Sequence, residues 1–332
     1  MPLQAVAVVA LPVMRNRIIM LPSTMVAEGE DNLNPIITWL HAIRPRTLLL
    51  SLSGVLMGGF LAATAPLFHP LPALFAALTA VLLQVLSNLA NDYGDFKKGL
   101  DDAHRVGPQR ALQSGELTEP QLLKGMNVVA SLCLLCGAAL LLSAKPFVSW
   151  KELVLFAVLG LLAIAAALFY TLGRHPYGYR GLGDLFCFLF FGWAAVAGTF
   201  YLSTSIRDFT VLLPASAMGF LSNAVLNINN MRDYENDKAK GKNSLVVKIG
   251  LDWAYRYHGL LIVGAFACLT LYLVLKHAPV YAYVFWLLSP LFLKDLIGIK
   301  NKLRMGPLDP FLPRQVIHTF LLTLAYAIPQ LF

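Results

Sequence analysis

The chain has 332 residues, of which 58% are hydrophobic and only 13% charged, and its mean hydropathy is +0.65. Soluble domains carry about 25% charged residues, so a water-soluble globular fold is excluded and a bilayer becomes the solvent. The net charge of +8 belongs with anionic lipid headgroups and not with nucleic acid, because the basic residues follow a membrane pattern.

In chain order, residues 1–34 come first. "AVAVVALPVM" (Ala5–Met14) has the apolar character of a signal core, but Arg15 and Arg17 follow it, the reverse of a secretory signal. This extension is expected to be poorly ordered, with Met14, Met20 and Met25 as alternative starts, and the structured domain is expected to span 35–332. It opens with "PIITWLHAIRPRT", where Trp39, Arg44 and Arg46 read as an interfacial anchor. Apolar runs follow near 47–65, 71–90, 122–143, 152–172, 184–203, 209–229, 257–275, 279–298 and 315–332. Each is close to the roughly 20 residues that a spanning helix needs, and none alternates as a strand would. The expected fold is an all-α integral membrane protein with nine transmembrane helices.

Charge gives the expected orientation. With a cytoplasmic N-terminus, 22 of the 26 Lys and Arg residues lie on the cytoplasmic side, leaving Lys145, Lys151, Arg207 and Lys276 outside. This is a strong positive-inside bias. Cys133 and Cys136 have the spacing of a metal or redox pair but lie inside the third apolar run, where small polarizable side chains serve helix packing.

Two apolar runs end in acid. "SNLANDYGDFKKGLDD" (Ser87–Asp102) closes the second, and "LNINNMRDYENDKAKGKN" (Leu226–Asn243) closes the sixth. Asn88, Asp92 and Asp95 share one helix side by spacing, as do Asn229, Asp233 and Asp237. Both runs point the same way through the membrane, so two four-helix units related about the membrane normal, plus a ninth helix, would bring the acid sets face to face. Either stretch alone also reads as a solvated helix end, since Asn, Asp and Gly are ordinary at caps. A cap does not explain the repeated Asn-x-x-x-Asp spacing, and acids at a helix C-terminus oppose the helix dipole. A cation between them is expected, and hard oxygen ligands of this kind suit Mg2+, which substrate phosphates often complete.

Bases accompany the acids: Lys97, Lys98, Arg105 and Arg110 after the first set, Arg174 and Arg180 in the next cytoplasmic loop, and Arg232, Lys238 and Lys242 around the second. The positive-inside rule alone accounts for many of them. Acids and bases alternating on one membrane face also suit a diphosphate held by magnesium and basic clamps. No GxxxxGK[ST] nucleotide loop is present, so the diphosphate expected is one carried by a lipid.

These stretches resemble the UbiA superfamily of intramembrane prenyltransferases, whose nine-helix fold carries aspartate-rich motifs on helices 2 and 6. "GPQRALQSG", within Arg105–Thr118, and "YGYRGLGD", within Phe169–Gly192, resemble the branch that prenylates 1,4-dihydroxy-2-naphthoate, and the resemblance covers about 35–332. Many members have a further aspartate four residues beyond Asp95. Here that position is Gly99, leaving Asp101 or Asp102 as a substitute, or two carboxylates with Asn88 as sufficient.

The resemblance implies transfer of a polyprenyl group from polyprenyl diphosphate to the naphthoate with loss of CO2, at the cytoplasmic face of a bacterial inner membrane. It implies metal binding by Asp92, Asp95, Asp233 and Asp237, with Asn88 and Asn229 as amide ligands or orienters. Lys98, Arg105, Arg110, Arg180 and Lys242 are the diphosphate candidates. Tyr170 and Phe169 are candidates for stabilising a carbocation, although either also fits an aromatic belt, and Asp184 for orienting the acceptor or pairing with Arg180. His104, His175 and His318 are weaker candidates for a general base. The competing readings are a relative acting on 4-hydroxybenzoate, homogentisate or a naphthoquinone, and an ion-coupled transporter.

Overall fold

The computed structural model describes residues 35–101 and 107–332. The extension 1–34 and the candidates Asp102, His104 and Arg105 lie outside the described residues. Within them the chain forms helices and turns with no strand, as a bilayer demands of backbone that must satisfy its own hydrogen bonds.

A short interfacial helix, Pro35–Ile43, buries Thr38 and Ala42 and turns Ile36, Ile37 and Leu40 outward. Nine helices among the described residues are long and apolar enough to cross a membrane. In order they are Pro45–Ala63, Pro70–Lys97, Glu119–Ala144, Trp150–Phe169, Gly183–Thr204, Phe209–Arg232, Leu251–Leu275, Val280–Lys302 and Phe311–Leu331, the first to ninth spans below. Each coincides with one of the expected apolar runs. Local signals set several of their starts. Pro45 and Pro70 open the first and second spans, where a missing N–H leaves nothing unsatisfied. Thr118 and Ser149 start the third and fourth, their backbone N–H groups donating to Gln121 and Glu152 three residues on.

Burial is graded across the bundle. The sixth span is central, with Ala215, Met218, Leu221, Ala224 and Ile228 fully enclosed. The third and fourth are peripheral, and Leu134, Leu135, Leu142, Leu155 and Leu161 face outward toward what is lipid in a membrane. The fifth span is unusual, because Phe188–Gly198 is π-helical, a form that is rare and concentrates at functional places. Small residues let its wide turns pack. A Cβ on Gly54 of the first span would stand 2.6 Å from the Phe191 carbonyl oxygen, and one on Gly192 would stand 2.6 Å from that of Ala215.

The second span has 28 residues, about 42 Å of helix, well beyond a hydrocarbon core of roughly 30 Å. Its surplus carries Asp92 and Asp95 out of the apolar zone on regular helix. The second acid set differs from the expectation of one helix side: the sixth span ends at Arg232, Asp233 leaves helical geometry, and Asp237 sits on a separate short helix, Tyr234–Ala239.

Gly54→Leu is expected to overpack the contact between the first and fifth spans and to destabilise the protein by about 1–3 kcal/mol. A thermal melt in detergent checks this, and an unchanged melting temperature would contradict the close approach.

Candidate active site

One cavity of about 960 Å³ connects the two acid sets to the apolar interior. Its mouth is lined by Asp92, Asp95 and Asp101 on one side and by Asp233, Asp237 and Lys242 on the other. Its depth follows from the second span, where both Asp95 and Ala76 line it; at 1.5 Å per residue they are roughly 28 Å apart. The deep walls are apolar, with Leu140, Leu141, Phe156 and Leu202 among them.

The mouth is a lattice of paired charges. Asp92, 1% exposed, accepts from Arg44 and, at 2.5 Å, from Arg110. The same Arg110 guanidinium lies 3.6 Å from Asp95 and 3.7 Å from Asp101, so one side chain serves three carboxylates. Across the mouth Arg232 grips Asp233 with two bonds of 2.7 and 2.8 Å and donates to Asn229 Oδ1 at 2.8 Å. Lys242 Nζ lies 3.4 Å from Asp237. Each buried carboxylate so placed needs a cation, since an unpaired one is strongly unfavourable.

Tyr179 joins the two halves. Its hydroxyl donates to Asp95 at 2.6 Å, its carbonyl accepts from the Asn243 backbone at 3.1 Å, and its ring lies under Lys98 and Lys242 at 4.4 and 5.4 Å. Burial, then the adjacent Asp95 charge, pushes its phenol well above the usual range, which keeps it a proton donor to the carboxylate. Burial also pushes Asp237 up, to about 6, against the opposing pull of Lys242. For Lys242 burial alone would lower the ammonium, but Asp95, Asp237 and Asp233 outweigh it and hold it above its ordinary value.

Of the residues expected from sequence, Asp92, Asp95, Asp233, Asp237, Asn229, Arg110, Lys242 and Tyr170 line this cavity. Asp101 does too, supplying a carboxylate near the position where Gly99 departs from the resembling pattern. The other described candidates lie outside it, those on the spans for reasons of helix phase. Asn88 is buried in a tie between helices, donating to Ile43 O at 2.7 Å and Thr47 Oγ1 at 2.9 Å and accepting from Gln84 at 3.1 Å, while Ser87 and Asn91 face the cavity instead. Phe169 is exposed, because Ala166, Ala167 and Tyr170 hold the inward face of the fourth span. Asp184 accepts from Tyr257 at 3.1 Å and does not pair with Arg180; Gly183, Phe186, Cys187 and Phe190 are the inward positions of its helix.

Arg180 is exposed, and its carbonyl accepts from Lys248 at 2.6 Å. Lys98 is spent on the Thr171 carbonyl at 3.0 Å, and burial lowers its ammonium. His175 is exposed, and His318 lies 3.3 Å from Asp295, away from the cavity. Arg44, Asn91 and Tyr179 were the residues sequence reasoning missed. Arg44 read as an interfacial anchor, and Tyr179 lay within the quoted "YGYRGLGD" stretch without a distinguishing spacing.

Among the described residues no three of the His, Cys, Asp and Glu side chains gather about one point, and the aspartates line two walls of the cavity. These still fit Mg2+. The Asp237 Oδ2 and Asn91 Oδ1 atoms are buried without a hydrogen-bond partner, and the donors are hard oxygens that leave coordination positions for water and phosphate.

Comparison with known proteins decides the family. Residues 51–302 match the model of the UbiA prenyltransferase family. The chain belongs to that family. It is 39% identical to the 1,4-dihydroxy-2-naphthoate octaprenyltransferase of Escherichia coli (strain K12), over 90% of this chain and 96% of that one. It is 28% identical to the UbiA prenyltransferase domain-containing protein 1 homolog of Drosophila melanogaster, over 84% and 74%. Its fold is similar to that of a UbiA homolog from Archaeoglobus fulgidus solved with GPP and Mg2+, at a TM-score of 0.59 and 17% identity, covering 89% of this chain and 99% of that one.

Tyr179→Phe strips Asp95 of its phenol partner and is expected to destabilise the protein by about 1–3 kcal/mol. Arg180→Ala on the same turn should stay within about 0.5 kcal/mol. Thermal melts of the two variants side by side test the assignment of Tyr179 as the tie.

Proposed function

We propose that this protein is a Mg2+-dependent prenyltransferase that moves a polyprenyl group from polyprenyl diphosphate to 1,4-dihydroxy-2-naphthoate, with loss of CO2, giving demethylmenaquinol in menaquinone biosynthesis. The observation that carries the reading is the cavity itself: a mouth of alternating carboxylates and bases opens into an apolar interior roughly 28 Å deep. That form complements a ligand with a diphosphate head and a long hydrocarbon tail. Family membership supports the reaction type, and the names of the bacterial relatives support the acceptor.

Asp92, Asp95, Asp233 and Asp237 are the metal-holding residues in this reading, with Asn229 and Asp101 beside them. Bound Mg2+ supplies Lewis-acid stabilisation of the diphosphate oxygens. Arg110 and Lys242 face the same oxygens and stabilise the charge that develops as the allylic C–O bond breaks and its electron pair leaves with diphosphate. Tyr170, Tyr177 and Phe186 also line the cavity, and in this reading they stabilise the allylic carbon as it becomes cationic. The apolar walls exclude water that would capture the cation. The electron-rich naphthoate ring then attacks, a C–C bond forms, and the departing carboxylate returns its electron pair to the ring as CO2 leaves.

The basic residues favour a site at the cytoplasmic face of a bacterial inner membrane, with the N-terminus inside. The acids lie at one end of the cavity and not midway through the membrane, where coupled transporters bind their ions.

The test is turnover in nanodiscs with geranylgeranyl or longer prenyl diphosphate and 1,4-dihydroxy-2-naphthoate, with and without Mg2+, read by mass spectrometry. A prenylated naphthol lacking the carboxyl group, formed only with Mg2+, is expected. Product only with a different phenol would overturn the acceptor. Asp92→Ala and Asp237→Ala should each lower the rate by roughly 10²-fold or more, whereas Lys145→Ala, past the far end of the third span, should leave it unchanged.

A further inference from the structure

Arg44 has a backbone conformation that its sequence context opposes. It lies between the interfacial helix and the first span in the left-handed region, at φ 54° and ψ 70°. Side chains with a Cβ avoid that region, and a residue preceding proline, as Arg44 precedes Pro45, favours extended backbone. Such a conformation persists only where its surroundings over-determine it, and it concentrates at functional sites.

The surroundings here are specific. The Arg44 N–H donates to Leu40 O at 3.1 Å, and the Thr47 N–H and hydroxyl both donate to Arg44 O at 2.9 Å. Asn88, 3% exposed, clamps this hinge from the second span: its amide donates to Ile43 O on one side of Arg44 and to Thr47 Oγ1 on the other. Gln84 fixes the clamp in turn by donating to Asn88 Oδ1. The consequence is directional. The Arg44 guanidinium reaches Asp92, which lies one helical turn beyond Asn88 and already accepts from Arg110. Two guanidinium groups meet at one buried carboxylate oxygen, and Arg110 is shared further with Asp95 and Asp101 whereas the carboxylate that Arg44 engages is Asp92. Arg44 also lines the cavity, and its side chain keeps 27% of its exposure, so it is able to turn toward an anion there.

We propose that Arg44 is a diphosphate-binding residue held on Asp92 until the diphosphate arrives, and that Asn88 is the positioning residue that aims it. The inference rests on the prenyltransferase reading. When the anion enters, Arg44 exchanges the Asp92 carboxylate for diphosphate oxygens, which removes one of the cations that compete with Mg2+ for Asp92. Metal and diphosphate then bind each better in the presence of the other, a coupling that is reciprocal by linkage. The Asn-x-x-x-Asp spacing of the second span thus pairs a hinge clamp with a carboxylate, where spacing alone read two ligands.

The experiment is calorimetric titration of the full chain in nanodiscs with Mg2+, with inorganic pyrophosphate, and with each in the presence of the other. Arg44→Gln should weaken Mg2+-dependent pyrophosphate binding about tenfold and strengthen binding of Mg2+ alone, because a competitor for Asp92 is gone. Asn88→Ala should shift both in the same directions, and the double variant should add little to either single one. Arg44→Lys should recover part of the pyrophosphate affinity.

A merely structural role would not move the two affinities in opposite directions. If Asn88→Ala weakens Mg2+ binding alone, Asn88 is a metal ligand and the proposal fails. If Arg44→Gln binds pyrophosphate as wild type does, the role of Arg44 fails, whether or not Asn88→Ala folds. Wild-type protein that shows no Mg2+-dependent pyrophosphate binding would overturn the prenyltransferase reading itself.

Discussion

The rest of the molecule depends on one constraint: several carboxylates are buried together at the edge of an apolar cavity, and each must be compensated. Left alone they would repel one another and resist desolvation. Part of the compensation is local, and part comes from far along the chain, as with Arg44 on Asp92 and Tyr179 on Asp95. Arg110 serves Asp92, Asp95 and Asp101 at once, Arg232 holds Asp233, Lys242 faces Asp237, and Tyr179 donates to Asp95. Loops that look like connectors between spans are therefore parts of the site. The Leu100 carbonyl, for example, accepts from both Asn236 and Lys240, which fastens the loop after the second span to the one after the sixth.

The same constraint explains how the bundle is graded. The spans that deliver the acids have a fixed depth and phase, so the sixth is central and sealed, and the second is long enough to carry its acids out of the hydrocarbon zone. The peripheral third and fourth spans are free to lean on lipid, and between them and the π-helical fifth span lies the apolar depth of the cavity. Close approach at Gly54 and Gly192 lets that wide fifth span pack without closing the space. A charged mouth and an apolar interior are thus two products of one packing arrangement.

What the sequence determined by itself was everything that hydrophobic runs and charge can encode locally. Nine spans, the all-helical fold, and the two acid sets at the ends of the second and sixth were all readable, because length and hydropathy are properties of a segment and not of its neighbours. The membership of the site was readable only in part. Asp92, Asp95, Asp233 and Asp237 stood out because carboxylates after an apolar run have no cheap alternative environment. Phe169, Arg180 and Asp184 satisfied the same composition and proximity, yet each falls outside the cavity.

The tertiary structure decided those cases, and the reason is angular. One residue along a helix is a turn of about 100°, so Tyr170 faces the cavity where Phe169 faces outward, and Asn91 faces it where Asn88 faces the first span. No spacing rule gives the absolute phase of a helix in a bundle whose polar and apolar faces are both lined by hydrophobic neighbours. Nor does any local pattern announce that Arg44, the ordinary residue before a proline, takes a left-handed turn and reaches a carboxylate 48 positions away. The chain wrote its solvent, its spans and its acids in local composition. Which distant groups join the local cations in answering those acids, Arg44 on Asp92 and Tyr179 on Asp95, was settled only when remote segments were brought into contact.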